Sequence, residues 1–324
     1  MKLRVYNVEV ALGSGPKAFY RAVLGRLAAD RSQVRNIELV QRSIDARKKT
    51  PRWNMTADVE IAPKHVALFE QRRSTLRDVA NTPLTPPLEF ASGAGELRGR
   101  VVVVGSGPGG LFAAYVLAKH GYRPLVIERG APALERLKQI GRFNSGNASL
   151  DPDANALFGE GGAGTFSDGK LYTRKNKDEH LTNVLKVLVE HGAPEDVLID
   201  AAPHLGTDKL APVVMNMRRA VEKLGGEVRF FTQLTGLEVE GGQLKAVNVT
   251  TKVHGGSPQR ERIECGACVL AIGHSARDTY QMLKDSGIQM EAKPFQFGVR
   301  IEHPQSFIDE MQFGRFAGHP ELGH

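Results

Sequence analysis

The chain has 324 residues, 41% of them hydrophobic, enough for two or three domains with a large buried core. Two cysteines exclude a disulfide-stapled fold, and no long apolar stretch opens the sequence, so no signal peptide is expected and the reading is cytoplasmic. The net charge of +7 is concentrated N-terminally: residues 1–98 carry 17 Lys+Arg against 10 Asp+Glu, and the remainder balances at 26 and 26. Such a surface suits nucleic acid, an acidic protein or an anionic substrate, or is an ordinary solvated basic domain.

Residues 2–12 alternate as a strand, with Leu3 and Val5 and then, after Tyr6, Val8 and Val10 on the apolar side. Pro16 to Ala29 suit a helix with Phe19, Val23 and Leu27 inward. Val34 to Ser43 and Trp53 to Ile61 read as strands, and Pro63 to Arg73 as a second helix. This order predicts a small α+β domain over residues 1–80, with the ferredoxin-like arrangement as one option. The basic stretch from Arg42 to Lys49 is a solvated turn or an anion-contacting loop. Residues 81–99 read as a linker, stiffened by Pro83, Pro86 and Pro87.

The most informative stretch is Val101 to Glu128. Val101 to Val104 predict a short buried strand. Gly105, Gly107 and Gly110 give G-x-G-x-x-G, and a helix pattern follows with Leu111, Ala114, Tyr115 and Ala118 on one face. A second strand, Pro124 to Ile127, ends on Glu128, 18 residues after Gly110. The spacing assigns each part a role in binding a dinucleotide. Gly105 makes the tight turn, Gly107 admits a pyrophosphate, and Gly110 lets helix and strand pack. The helix N-terminus faces the phosphates. Glu128 accepts from the ribose hydroxyls and disfavours NADP, whose 2′-phosphate would meet a carboxylate. The motif alone leaves FAD and NAD open.

Arg136 follows in a predicted helix, as a phosphate contact or a surface arginine. Five glycines then fall within residues 159–169, interleaved with Thr165, Ser167, Asp168 and Lys170 and flanked by Phe158, Phe166 and Leu171. So many glycines are costly in chain entropy, which predicts a loop lining a ligand. Amphipathic stripes at 181–189 and 213–224 predict helices. Glu227 to Phe231 is a strand, residues 234–264 form two or three antiparallel strands, and Cys268 to Ile272 is a further buried strand ended by Gly273. A helix over Ala276–Ser286 and new strands over 290–303 complete the reading.

Taken together, the chain resembles the glutathione-reductase-like FAD-binding flavoproteins. Within that superfamily it is similar to the FAD-dependent dehydrogenases that carry an extra N-terminal α/β domain. The resemblance rests on the order of elements over 101–273 and on three phrases: Phe158 to Leu171, Gly206 to Leu210 and Ile272 to Asp278. It implies an α/β Rossmann-like FAD-binding domain with a β-meander over 100–285, an incomplete substrate domain over 286–324, and hydride or electron transfer with FAD. By the same resemblance Gly105, Ser106, Gly107, Pro108, Gly110 and Leu111 meet the pyrophosphate, and Glu128 and Arg129 the adenosine end. Gly161, Gly162, Ala163, Gly164, Thr165, Ser167, Asp168 and Lys170 run beside the ribityl chain and flavin. Leu234 lies near the adenine through its backbone, and Ala271, Ile272 and Gly273 near the pyrophosphate. The resemblance also implies a C-terminal return to the FAD domain, and no second glycine-rich strand–helix junction follows Gly273. The 324-residue chain is therefore expected to hold FAD weakly.

Two catalytic candidates stand beside their structural alternatives: Lys170 as a charge near the flavin or a surface cation, and His274 as an acid or base or a helix N-cap. No metal site is read. The expected partner is a small-molecule substrate, with NAD(P)H as an electron donor. A flavoprotein acting on RNA is the weaker alternative, because only Tyr6 and Trp53 offer stacking aromatics in the basic domain. A plain NAD-dependent dehydrogenase is disfavoured by the glycine-rich loop. Cys265 and Cys268 have C-x-x-C spacing but no helix N-terminus after them, so a redox disulfide is not expected.

Overall fold

The computed structural model describes residues 1–47, 49–83, 90, 97, 99–153, 155–166, 169–171, 180–294, 298–299 and 301–322. Its strands fall into two sheets. The first is built from β1 (Lys2–Ala11), α1 (Gly15–Leu27), β2 (Val34–Asp45), β3 (Arg52–Ile61), α2 (Val66–Arg72) and β4 (Val79–Asn81). All pairings are antiparallel, in the order β2-β3-β1-β4. That is the ferredoxin-like arrangement.

The phase switch in β1 has a structural cause. Leu3, Val5, Val8 and Val10 are all buried, although an unbroken strand would send the second pair outward. A register shift between Val5 and Val8, with Asn7 at φ 53°, re-aims the strand. Phe19, Val23 and Leu27 of α1 and Phe69 of α2 close the core on that face.

The second sheet runs β7-β6-β5-β10-β9-β8. Its elements are β5 (Arg100–Val104), α3 (Pro108–Lys119), β6 (Leu125–Ile127), α4 (Ala133–Asn144), α5 (Leu181–Glu190), α6 (Thr207–Lys223), β7 (Glu227–Arg229), β8 (Thr232–Glu240), β9 (Gln243–Thr251), β10 (Gln259–Leu270) and α7 (Arg277–Asp285). β7, β6, β5 and the second half of β10 are parallel, in the Rossmann-like order third-second-first-fourth. The meander is continuous with them. Gly241 and Gly242, both at positive φ, turn β8 into β9.

Two expectations need correction. The last meander strand and the buried strand at Cys268 are one element, β10. Residues 259–264 pair antiparallel with β9 and residues 265–270 parallel with β5. The register shifts between Cys265 and Ala267, where Gly266 takes up the irregularity, so the glycine marks a bulge and not a break. Of the strands expected over 290–303, residues 295–297 and 300 lie outside the described residues, and the others form no strand. Val299 and Ile301 are 87% and 73% exposed, and the alternation there finds no neighbouring strand to bond. The chain instead forms α8 (Gln305–Phe313), and Glu321 returns to the first sheet, accepting from Trp53 Nε1 at 2.8 Å and Gly13 N at 2.9 Å. Among the described residues, no helix is long and apolar enough to cross a membrane.

Candidate functional site

The valines of β5 are at most 6% exposed, which fixes the strand in the centre of the sheet and its end at Gly105. The three glycines that follow differ in what a side chain would meet. At Gly105, φ 99°, a Cβ would strike the Ala271 carbonyl, and at Gly110 it would strike the Gly105 carbonyl. Both let backbone pack on backbone. At Gly107 the nearest protein atom would be Gly162 Cα at 3.8 Å, an ordinary contact. The room beside Gly107 belongs to a cleft. Gly107 is also the N-cap of α3 and carries no side-chain cap, so the first-turn N–H groups are left to an external acceptor.

The cleft holds about 400 Å³. It lies beyond the carboxyl ends of β5 and β10, where the strand order reverses, the place at which open α/β sheets bind ligands. Gly105, Gly107 and Pro108 line it, and Gly162, Ala163 and Gly164 adjoin them, a Cβ on Gly162 lying 3.2 Å from Gly107 Cα. Glu128, Arg129 and Leu234 line one end, and Ala271, Ile272, Gly273 and His274 the side facing α7. Ser106, Gly110, Gly161 and Thr165 are buried behind these walls, and Leu111 packs in a core with Val213, Val214 and Met217. Thr165 Oγ1 donates to Glu160 O at 3.0 Å, and Gly161 N donates to Ser106 O at 2.8 Å, which ties loop to turn. Ser167 and Asp168 lie outside the described residues.

Of the two catalytic candidates, His274 lines the cleft, with Nε2 3.3 Å from Ser275 Oγ; the N-cap of α7 is Ala276. Lys170 is not brought to the cleft walls. It is exposed and sits in an antiparallel bridge with His204, because residues 169–171 leave the loop to pair with 203–205.

Glu128 does more than the spacing suggests. It is 4% exposed, and its carboxylate accepts from Ser106 N (2.8 Å), Ser106 Oγ (2.9 Å), Gly130 N (2.9 Å) and Gly159 N (3.0 Å). A carboxylate offers about four lone-pair sites, so all are taken by the protein. Glu128 therefore braces the turn, the end of β6 and the glycine-rich loop together. A ribose hydroxyl would have to replace one of those donors. Arg129 forks onto Asp278, at 3.0 Å from Nη1 to Oδ1 and 2.6 Å from Nη2 to Oδ2, and lies over the Phe158 ring. Its Nε is buried without an acceptor. The Arg129 guanidinium holds the Asp278 carboxyl below the usual range, and Gln233 Nε2 adds a bond at 2.8 Å.

Arg136 is neither of the things its sequence position allows. It is fully buried. Nε and Nη2 donate to Asn155 O at 3.2 and 2.9 Å, and Nη1 to Glu160 O and Gly162 O at 2.6 and 3.0 Å. The guanidinium thus satisfies carbonyls of a loop that has no strand or long helix to do so. Burial pulls its pKa down to about 10. Glu160 beside it, also fully buried, accepts from Ala133 N and from Arg218 Nε at 2.7 Å. Sequence reasoning missed this pair, together with Gln233 and Thr279 in the lining. One signal was present: Arg136 lies three residues after Ala133, on the inward face of α4.

The glycine cradle, the uncapped helix N-terminus and the wall of loop backbone suit a ligand with a pyrophosphate and an extended body. The chain is similar to known proteins over most of its length. Residues 2–60 match a domain of unknown function (DUF8436), residues 99–296 the Pyridine nucleotide-disulphide oxidoreductase family, and residues 294–324 the family described as FAD-dependent protein, C-terminal domain-like. An uncharacterized protein of Clostridium beijerinckii is 38% identical over 322 residues; the match covers 99% of this chain and 58% of that protein, so the chain spans a little over half the length of this relative. The all-trans-zeta-carotene desaturase of Myxococcus xanthus is 42% identical over 68 residues, 21% of this chain and 13% of that one. Among solved structures, THI4 of Thermovibrio ammonificans is similar at 18% identity and a TM-score of 0.40, covering 59% of this chain and 64% of that chain. The L-proline dehydrogenase of P. horikoshii is similar at 15% identity and a TM-score of 0.30, covering 60% and 57%. With its Rossmann-like sheet and 198 matched residues, the chain belongs to the Pyridine nucleotide-disulphide oxidoreductase family.

Proposed function

We propose that the cleft holds FAD and that the chain serves an FAD-dependent oxidoreductase, a dehydrogenase moving a hydride or electrons to or from a small molecule. The observation that carries this reading is Gly107: an uncapped helix N-terminus on the cleft lining, where a side chain would meet only the Gly162 Cα at 3.8 Å, with the backbone of Gly162 to Gly164 beside it. The pyrophosphate would sit on that N-terminus, the adenosine toward Glu128, Arg129 and Leu234, and the flavin along Gly162 to Gly164. FAD would supply the redox chemistry, and the protein its position and polarity. His274, at the rim, would hold or pass a proton for the substrate. NAD(P)H would be the electron donor.

Two observations favour FAD over free NAD as the resident cofactor. A second glycine-rich segment lines the cleft beside the fingerprint turn. The families matched over 99–296 and 294–324 also include one described as FAD-dependent. The domain division that goes with this function is a basic unit over 1–80, a linker over 81–99, the cofactor domain over 100–285 and a substrate-facing segment beyond.

The test is a donor screen. Purified protein, supplied with FAD, should show the visible flavin band, and one of NADH, NADPH or a panel of amines, alcohols and saturated acids should bleach it under anaerobic conditions. A protein that takes up NAD and never a flavin would overturn the reading.

A further inference from the structure

We propose that the N-terminal sheet positions the glycine-rich wall of the cleft, through a strap of residues 199–206 joined to the sheet at one end and to the loop at the other. The strap's attachment to the sheet is made at β2, an edge strand. Arg42 N donates to Ile199 O at 2.7 Å, and Ala201 N donates to Arg42 O at 3.0 Å. The Arg42 side chain closes the same joint, with Nε 2.6 Å from Asp200 Oδ1, Nη2 3.4 Å from Asp196 Oδ2 and the guanidinium over the Trp53 ring. An otherwise open strand edge is thereby covered by a second part of the chain.

The attachment to the loop follows at once. Leu171 N donates to Pro203 O and Leu205 N to Gly169 O, both at 2.9 Å. A Cβ on Gly169 would lie 2.7 Å from Gly206 N, so the two backbones are in contact. Leu205 is buried with Leu111 of α3, and Leu171 packs on the same cluster. Only Ala201, Ala202 and Pro203 separate the residue bridged to Arg42 from the one bridged to Lys170. Chain of that length, bent at Ala201 and Ala202, keeps the two joints within roughly 13 Å of each other. A shift of the sheet edge is therefore passed to residues 169–171, the exit of the loop whose Gly162 to Gly164 face the cleft. One role of the basic N-terminal part is then internal: its Arg42 neutralises Asp196 and Asp200, at the joint.

The inference rests on the flavin reading of the cleft for one of its two readouts only. In the full chain, Arg42→Asp and Asp200→Arg each reverse one partner, and the double variant restores the pair in swapped order; Arg42→Gln and Asp200→Asn are milder versions should a reversal fail to fold. Hydrogen exchange of the apoprotein is followed in peptides covering 159–166 and 169–171, and FAD titration gives affinity and the shape of the visible band. Each single change should speed exchange in both peptides by about two- to fivefold. It should weaken FAD by a similar factor and alter the band, and the swap should restore all three. Faster exchange confined to 196–201, with affinity and band as in the wild type, would overturn the proposal and leave a docking contact. If the wild type takes up no flavin, the cleft reading fails, and exchange at 159–171 still decides this inference.

Discussion

The two glycine-rich segments that meet at the lining of the cleft are held by different means. The turn at Gly105 to Gly110 is set by its own neighbours: a strand of valines ends, two glycines permit backbone contact, and a helix begins at Pro108. Among its described residues, the loop over 155–171 contains a short 3₁₀ turn, over Gly162–Phe166, and no longer helix. Its shape comes from buried charges that arrive from elsewhere in the chain, Glu128 on the Gly159 amide and Arg136 on three carbonyls. Local sequence can specify the first kind of site. The second kind depends on tertiary partners, and buried ions there are costly unless every lone pair and proton is used.

The comparison predicts a graded response. The largest effect belongs to Gly110→Ala. Its methyl would meet the Gly105 carbonyl, backbone on backbone, with no side chain to yield. The turn and α3 should separate, and the variant should appear in the insoluble fraction or lose its cooperative thermal transition. Arg136→Met comes next. It removes every bond the guanidinium makes to the loop and leaves the carbonyls of Asn155, Glu160 and Gly162 buried, at a cost of about 3–5 kcal/mol, the size seen when one partner of a buried polar set is deleted. The fold of the six-stranded sheet should survive while the loop is lost, so far-UV circular dichroism should change little and FAD affinity should collapse. Equal loss of both would mean that loop and turn are one cooperative unit.

These two variants also mark what the sequence makes legible. Gly105, Gly107 and Gly110 could be assigned separate duties from spacing alone, because each duty is fixed by a strand, a turn and a helix within about one βα unit. Strand–helix alternation gave a small α+β domain with the ferredoxin-like order as one option, which the strand pairing selects, and the break in phase after Tyr6 became a bulge. Arg136 and Glu160 were not legible, since a charged residue in a helix or loop ordinarily faces water. Glu128 was legible as an acid at the end of β6, but its saturation by Ser106, Gly130 and Gly159 depends on backbone amides 2 to 31 residues away. Lys170 was left open between a charge near the flavin and a surface cation, and the pairing of 169–171 with 203–205, which leaves it exposed, joins segments far apart in sequence. Of the alternation over 295–301, residues 295–297 and 300 lie outside the described residues, and Val299 and Ile301 are exposed.

A smaller effect is expected at the mouth of the cleft, where Arg129, Asp278 and Gln233 join β6, α7 and β8. The Asp278 carboxyl is held below its ordinary value by the Arg129 fork. A depressed carboxyl stabilises the fold above its unfolded pKa, and that contribution is lost as pH falls through the lower folded value. The fork should thus be constant from neutral pH down to about pH 4 and weaken only below it. A thermal-midpoint profile against pH should show a fall below that point that Asp278→Asn lacks; parallel profiles would place the acid sensitivity elsewhere.

The smallest effect belongs to the cysteines. Burial pushes the Cys268 thiol up to about 12 and raises Cys265 as well. Neither offers a thiolate near neutral pH, so iodoacetamide labelling of the native protein should be slow against its rate in denaturant. Cys265→Ser with Cys268→Ser should leave flavin reduction unchanged. Rapid native labelling at both would bring the redox reading of the C-x-x-C spacing back.

The most direct measurement is a calorimetric titration of FAD into the apoprotein and into Gly107→Val. Gly107 is the one fingerprint glycine whose side chain the protein itself would accept, at 3.8 Å from its nearest neighbour, and whose space only a ligand needs. Saturable binding at one FAD per chain for the wild type, and none for a Gly107→Val variant with the same circular dichroism and thermal transition, is the result expected. Equal binding by both proteins would show that the cleft beside Gly107 is not the flavin site.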